Sequence, residues 1–363
     1  MHLNKIKVLV VDDSALMRKI ISDMIDTEDN MEVTGTARNG EDFLDKLTKA
    51  APDVITLDVE MPKMDGVAAL KELKKRNIKI PVIVLSSVTK RSAQITMECL
   101  EAGAFDFISK PSGAISLDIN KVKEDLIQKI NLAYERNNKV QHIEQAPVMW
   151  KPPARVNEPA AVPAFIERRK TAGNIKAVVI GASTGGPKAL YAVITKLPQF
   201  LGVPVFVVQH MPEGFTKAFA ERLDQNSALK VVEAENMMNI DINTVYVAKG
   251  GYHMEINQDR KLHLNTEPSI WGVRPAVDKL FFSASRVYGP SLLSVVLTGM
   301  GRDGADGTVE IKKHGGITIS EDKSTCTIYG MPRAAFETGK VDLVLPLDRI
   351  SDEIIRIVNG REG

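Results

Sequence analysis

Short runs rich in Val and Ile alternate with amphipathic stretches, and the alternation occurs twice, on either side of a proline-rich interval. The first series comprises IKVLVV from Ile6, MEVTGTA from Met31, DVITL from Asp53, IPVIVLS from Ile80 and FDFIS from Phe105. Helical periodicity fills 14–27, 39–49, 66–76, 90–101 and 118–138. The second series runs KAVVIG from Lys176, VPVFVVQ from Val203, TVYVA from Thr244, SLLSVVLTG from Ser291, ITIS from Ile317 and DLVLP from Asp342. Its helices are predicted over 187–196, 215–225, 275–287, 305–314, 331–338 and 347–358, with a hairpin over 252–264. Strands that alternate with helices require right-handed crossovers and parallel sheets covered on both faces. The pattern therefore predicts an α/β chain of two doubly wound parallel-sheet domains, 1–138 and 174–363. Between them, residues 139–173 scatter Pro147, Pro152, Pro153, Pro159 and Pro163 without sustained periodicity, which predicts a semi-extended linker.

Charge and composition narrow the partners. The 47 basic and 46 acidic residues leave a net charge of +1, so no bulk field draws the chain to nucleic acid or to an anionic membrane. Cys99 and Cys326 stand far apart in no metal or redox spacing, which favours a reducing cytoplasmic location. The opening MHLNKIKVLVVDD is broken by Lys5 and Lys7 and ended by Asp12 and Asp13, and reads as a strand rather than a signal peptide. No apolar run approaches the ~18 residues of a membrane span.

In a parallel sheet, ligands sit beyond the carboxyl ends of the strands. Asp12 and Asp13 end the first predicted strand, Asp58 the third and Ser86 the fourth, while Lys110 follows the fifth. Three carboxylates at one edge would repel one another unless a hard divalent cation such as Mg²⁺ occupied the pocket. An aspartate so placed can accept a phosphoryl group covalently, with Lys110 offsetting the incoming charge. The segments VVDDS, LDVEMPKMDG, LSS and SKP together resemble the bacterial response-regulator receiver family, over essentially all of 1–138. The resemblance implies a flavodoxin-like domain with Asp58 as phosphoacceptor and Asp12 and Asp13 as metal ligands. It also implies Ser86 and Lys110 as phosphoryl contacts and Phe107 as an aromatic switch.

The second series carries GASTGG at 181–186 between a predicted strand and a helix opening near Pro187. Such a loop can cradle phosphate at a helix N-terminus or expose a serine nucleophile. The P-loop pattern is absent, and Ser183 replaces the middle glycine of the dinucleotide fingerprint. His210 ends the strand VFVVQ, and Asp303 lies just beyond another apolar strand in LTGMGRDGADG. Ser183, His210 and Asp303 thus converge on one sheet edge, where a nucleophile, a base and an orienting acid could assemble. The order Ser…His…Asp differs from the Ser…Asp…His of α/β-hydrolases. Asp278 and Asp306 are rival acids. His2, His142, His253, His263 and His314 fall at the terminus, near the linker, in the hairpin or at a helix end.

GASTGGPKAL, VVQHMPEGFTKAFAERL, VRPAVDKLF and VVLTGMGRDGADG resemble the CheB methylesterase family, whose members join a receiver, a linker and a Rossmann-like esterase domain. The resemblance implies hydrolysis of glutamate methyl esters on chemoreceptors and deamidation of glutamines, for chemotactic adaptation. By the motifs, Ser183, His210 and Asp303 are the catalytic residues, and Thr184 and Met300 line the active site and oxyanion region. Arg302 departs from the small residue common at that position in the family. The implied partners are methylated chemoreceptors and a chemotaxis histidine kinase. Mg²⁺ is implied for phosphorylation, and no cofactor for the ester chemistry. The unmodified receiver is expected to restrict access to the esterase cleft. A receiver joined to a binding domain, or a nucleotide-binding enzyme using GASTGG, remains the alternative. No basic helix-turn-helix follows the linker to support DNA binding.

Overall fold

The structure is a computed structural model that describes residues 5–111, 117–145 and 175–360. Its first sheet holds β1 (Ile6–Val11), β2 (Met31–Ala37), β3 (Val54–Asp58), β4 (Val82–Ser86) and β5 (Asp106–Ser109), in the order β2-β1-β3-β4-β5. All neighbours are parallel. Helices α1 (Ala15–Asp26), α2 (Gly40–Ala50), α3 (Gly66–Lys75), α4 (Lys90–Ala102) and α5 (Leu117–Gln145) supply the crossovers. Each of the first four opens on a polar side chain that accepts a backbone N–H of the first turn: Ser14, Asn39, Asp65 and Thr89. Such caps fix where each helix starts and so where the strand ends before it lie. Helix α5 continues to Gln145, past residue 138 where the predicted helix stops. The expected linker lies outside the described residues from 146 to 173.

The second sheet is also parallel throughout, in the order β14-β13-β12-β6-β7-β9-β8. Its strands are β6 (Ala177–Ala182), β7 (Val205–Gln209), β8 (Lys230–Glu233), β9 (Thr244–Val247), β12 (Leu292–Val296), β13 (Ile317–Glu321) and β14 (Leu343–Leu345). A separate antiparallel hairpin, β10 (His253–Ile256) with β11 (Leu262–Asn265), matches the one predicted. The sequence reading has no counterpart for β8, a four-residue edge strand of which only Val231 is buried; it is too short and too polar to stand out. The helices are α6 (Gly186–Ile194), α7 (Phe215–Asn226), α8 (Val277–Tyr288), α9 (Ala305–Lys313), α10 (Met331–Glu337) and α11 (Leu347–Val358). Every residue of β6, β7 and β12 is buried, because helices cover both faces.

The chain runs from β6 outward to β7 on one side and later returns to place β12 on the other. Strand order reverses around β6, and the crevice at such a reversal is where doubly wound sheets bind ligands.

The two domains share an apolar cluster, in which α4 of the first packs on α6 and α7 of the second. Phe107 of β5 lies against Phe215, the first residue of α7, with ring centroids 4.7 Å apart; both are buried. Arg222 of α7 grips both carboxylate oxygens of Glu101 on α4, through Nε at 2.6 Å and through Nη2. Val88 approaches so closely that a Cβ on Gly214 would stand 2.9 Å from its Cγ1. Gly214 also has φ +89°, so both backbone conformation and space require glycine there.

Candidate functional site

The first domain gathers its acids as the sequence predicts. Carboxylate oxygens of Asp12, Asp13 and Asp58 lie within 4.8 Å of one another. Lys110 Nζ bridges Asp12 at 2.7 Å and Asp58 at 2.8 Å. Burial pushes the Asp58 carboxyl up to about 6; Lys110 pulls against this, while the charge of Asp12 adds to the rise. Three converging hard oxygen donors fit Mg²⁺, which binds through carboxylates and keeps some waters. Ser86 sits at the end of β4 as expected, but its hydroxyl faces α4: it accepts from Thr96 Oγ1 at 2.7 Å and donates toward the Ser92 carbonyl at 3.3 Å. Phe107 is not on the surface; it fills the contact with Phe215.

In the second domain, Ser183, His210 and Asp303 stand beyond the ends of β6, β7 and β12, three adjacent strands. Ala182 and Gln209 are register partners, and the His210 N–H donates to the Ala182 carbonyl at 3.0 Å, so Ser183 and His210 follow side by side. His210 Nε2 hydrogen-bonds Asp303 Oδ2 at 2.7 Å. Ser183 and His210 are not hydrogen-bonded to each other: neither Ser183 Oγ nor His210 Nδ1 has a hydrogen-bond partner among the described residues. Both residues are half-buried while Asp303 is buried. Such a bond commonly tightens only when substrate arrives.

Asp303 is held by more than the imidazole. Its Oδ2 also accepts the Val277 N–H at 2.6 Å, and its Oδ1 the Asp278 N–H at 2.8 Å. These are first-turn donors of α8, which an anion at a helix N-terminus satisfies. Burial works to raise the Asp303 carboxyl, but the hydrogen bond and charge of His210 and the two backbone donors win, leaving it below the usual carboxylate range. Asp278 returns the arrangement. From the first turn of α8 its Oδ1 accepts the N–H groups of Gly304 and Gly307, at 3.0 and 2.7 Å, where α9 begins. Its Oδ2 accepts Trp271 Nε1 at 3.1 Å. Burial, then the nearby Asp303 charge, push Asp278 up to about 6. The two helices thus cap each other through exchanged aspartates, and Asp278 is a scaffold for the loop that carries Asp303. The other rival acid, Asp306, is only half-buried and is paired with Arg302 at 2.9 Å.

Sequence reasoning passed over Gln209. This buried side chain donates from Nε2 to the carbonyls of both Ser183 and His210, each at 3.0 Å. One amide therefore ties the Ser183 turn to the His210 strand end. The signal was its place immediately before His210, but any strand-end residue shares that position. Thr298 does similar work on the far side: its Oγ1 donates to the Thr184 carbonyl at 3.0 Å, and its carbonyl accepts the Ser183 N–H at 3.0 Å. The following loop passes so near that a Cβ on Gly299 would stand 2.8 Å from that of Ser183. Thr184 directly follows Ser183, and Met300 directly follows Gly299. Among the described residues, no acceptor takes the backbone N–H of Thr184 or Met300.

The comparisons with known proteins agree with this layout. Residues 8–119 match the response regulator receiver domain and residues 178–354 the CheB methylesterase domain. The chain is 55% identical over 362 residues, 99% of each protein, to a protein-glutamate methylesterase/protein-glutamine glutaminase of Clostridium acetobutylicum. It is 45% identical to the Pyrococcus horikoshii protein of the same name, covering 99% of this chain and 95% of that one. The crystal structure of the Thermotoga maritima CheB methylesterase catalytic domain superposes with a TM-score of 0.50 at 44% identity, over 51% of this chain and 99% of that one. Fold and matches together define a response-regulator receiver joined to an esterase-type α/β domain. The chain belongs to the CheB methylesterase family.

Proposed function

We propose that this protein hydrolyses glutamate methyl esters on chemoreceptors, and deamidates receptor glutamines, with Ser183, His210 and Asp303 as the catalytic residues. The observation that carries the chemistry is the His210 Nε2–Asp303 hydrogen bond, made beside the Ser183 turn. With Nε2 committed to the acid, Nδ1 is the nitrogen left to act as base. It takes the Ser183 proton as Oγ bonds to the ester carbonyl carbon. The proton then passes to the departing methoxide as the C–O bond breaks, and methanol leaves. Water, deprotonated by the same nitrogen, releases the glutamate and restores Ser183. Asp303, anchored by the α8 backbone donors, holds the imidazole and stabilises its cation. The N–H groups of Thr184 and Met300 are the proposed oxyanion donors; losing one such donor costs about 3 kcal/mol in the transition state.

The receiver is proposed to control this site through Asp58. Asp12, Asp13 and Asp58 would hold Mg²⁺, which when bound would orient a phosphoryl donor and neutralise its charge. Lys110 offsets the new charge, and Ser86 turns from α4 toward it. Phe107 rests on Phe215, which follows His210 through Met211, Pro212, Glu213 and Gly214. A change in Phe107 packing therefore reaches the base's own loop, and favours whichever domain arrangement accommodates it better.

The test is methanol release from methylated receptor fragments, with and without a small phosphodonor and Mg²⁺. The expected result is turnover that rises with the phosphodonor and vanishes in Ser183→Ala; undiminished turnover in that variant refutes the nucleophile.

A further inference from the structure

Trp271 occupies a conformation that a bulky side chain seldom adopts. It has φ +53°, and Gly272 follows at +80°. The two form a tight reversal closed by Ile270 and Val273, whose N–H groups donate to each other's carbonyls at 3.2 and 3.0 Å. A turn with both central residues at positive φ favours Asn and Gly, so tryptophan there is strained. The strain does not serve to bury the side chain; the residue is 51% exposed. The ring is nevertheless fixed. Its Nε1 donates to Asp278, and the Arg302 guanidinium lies 4.6 Å from the ring centroid while also pairing with Asp306. Arg274 Nη1 fastens the same loop by donating to the carbonyls of Thr266 and Glu267, at 2.8 and 3.0 Å.

This platform is continuous with the proposed catalytic site. Arg302 immediately precedes Asp303, and Asp278 holds the backbone of Gly304 and Gly307 on the same loop. Among the described residues, the first domain packs on α6 and α7, and Trp271 stays exposed. A preordered, half-exposed tryptophan backed by an arginine is a strong anchor for a polypeptide, because little side-chain freedom is lost on contact.

We propose that Trp271, braced by Arg302, is a docking platform for the polypeptide that carries the scissile glutamyl group, selecting protein-borne esters over small ones. This rests on the esterase reading above. An apolar side chain of the substrate segment covers the free part of the indole while its ester enters beside Ser183.

The experiment compares the full-length chain with Trp271→Ala and Arg302→Ala, in the presence of phosphodonor and Mg²⁺. Two substrates are used: a methylated receptor fragment and the γ-methyl ester of N-acetylglutamate α-amide. The ratio of kcat/KM for the fragment to that for the small ester is expected to fall about tenfold or more in Trp271→Ala, and less in Arg302→Ala. Trp271→Phe, which loses Nε1 but keeps an aromatic face, should retain most of the ratio. An unchanged ratio in Trp271→Ala overturns the proposal, as does a ratio lost equally in Trp271→Phe, which would make the Asp278 hydrogen bond the cause. A variant that instead changes the oligomeric state, with its ratio intact, also overturns it and assigns the platform to self-association. Absence of turnover of both substrates in the parent would sink the esterase reading instead.

Discussion

The Asp58 pocket and the Ser183–His210–Asp303 site each place a buried aspartate at the same kind of sheet edge, yet the two carboxyls are shifted in opposite directions. Asp58 is buried and accepts only a long 3.4 Å hydrogen bond from the Glu60 N–H, besides its ion pair with Lys110. Burial prevails, and its carboxyl rises to about 6. Asp303 is also buried, but two helix N–H groups and His210 occupy its oxygens, and its carboxyl falls below the usual range. Burial alone would raise both. What separates them is the directional donor set. Asp303 is held by His210 and two backbone N–H groups, whereas Asp58 has one lysine and one long backbone contact.

The widest break in the comparison comes from Asp303→Asn. The amide cannot accept from His210 and both α8 donors in the same way, and it offers the imidazole the wrong partner. A loss in kcat of about 10⁴ is expected, measured as methanol release. Asp58→Asn should have a different signature, the loss of stimulation by a phosphodonor, read from the same assay with and without that donor. Gln209→Leu removes the amide shared by Ser183 and His210. It should lower kcat by about tenfold to a hundredfold through misplacement, and cost about 1–3 kcal/mol in urea unfolding because two part-buried hydrogen bonds are lost, the Ser183 carbonyl keeping the Gly186 N–H. The interdomain contact sharpens the comparison more gently. The Glu101–Arg222 pair is partly exposed, so Arg222→Ala should loosen the contact by about 0.2–1 kcal/mol and raise unstimulated turnover at most a few-fold.

The smallest effect concerns pH. Asp278 titrates at about 6 in the fold, against about 3.9 in an unfolded chain. Between these values the native state holds the extra proton, so this group's contribution to stability falls as pH rises from about 4 to about 6 and then levels off. Denaturant unfolding of Asp278→Asn relative to the parent should show that slope removed; an identical slope in both would assign the pH dependence elsewhere.

Much of this molecule was legible in one dimension. The double strand–helix alternation gave both parallel sheets, because period and β-branched runs are local properties. The strand-end positions of Asp12, Asp58, Lys110, Ser183, His210 and Asp303 placed two sets of groups at two sheet edges, because parallel strands direct all their carboxyl ends one way. Some relations depended on partners distant in the chain, and no local pattern encodes them. Gln209 became a tie between two carbonyls only when β6 paired with β7. Asp278, read as a rival acid, became a cap for α9 only when α8 packed beside it. Phe107 found Phe215 only through domain contact. The sequence determined which groups reach each edge. Tertiary packing decided which donors meet each carboxylate, and the direction of its pKa shift follows from those donors.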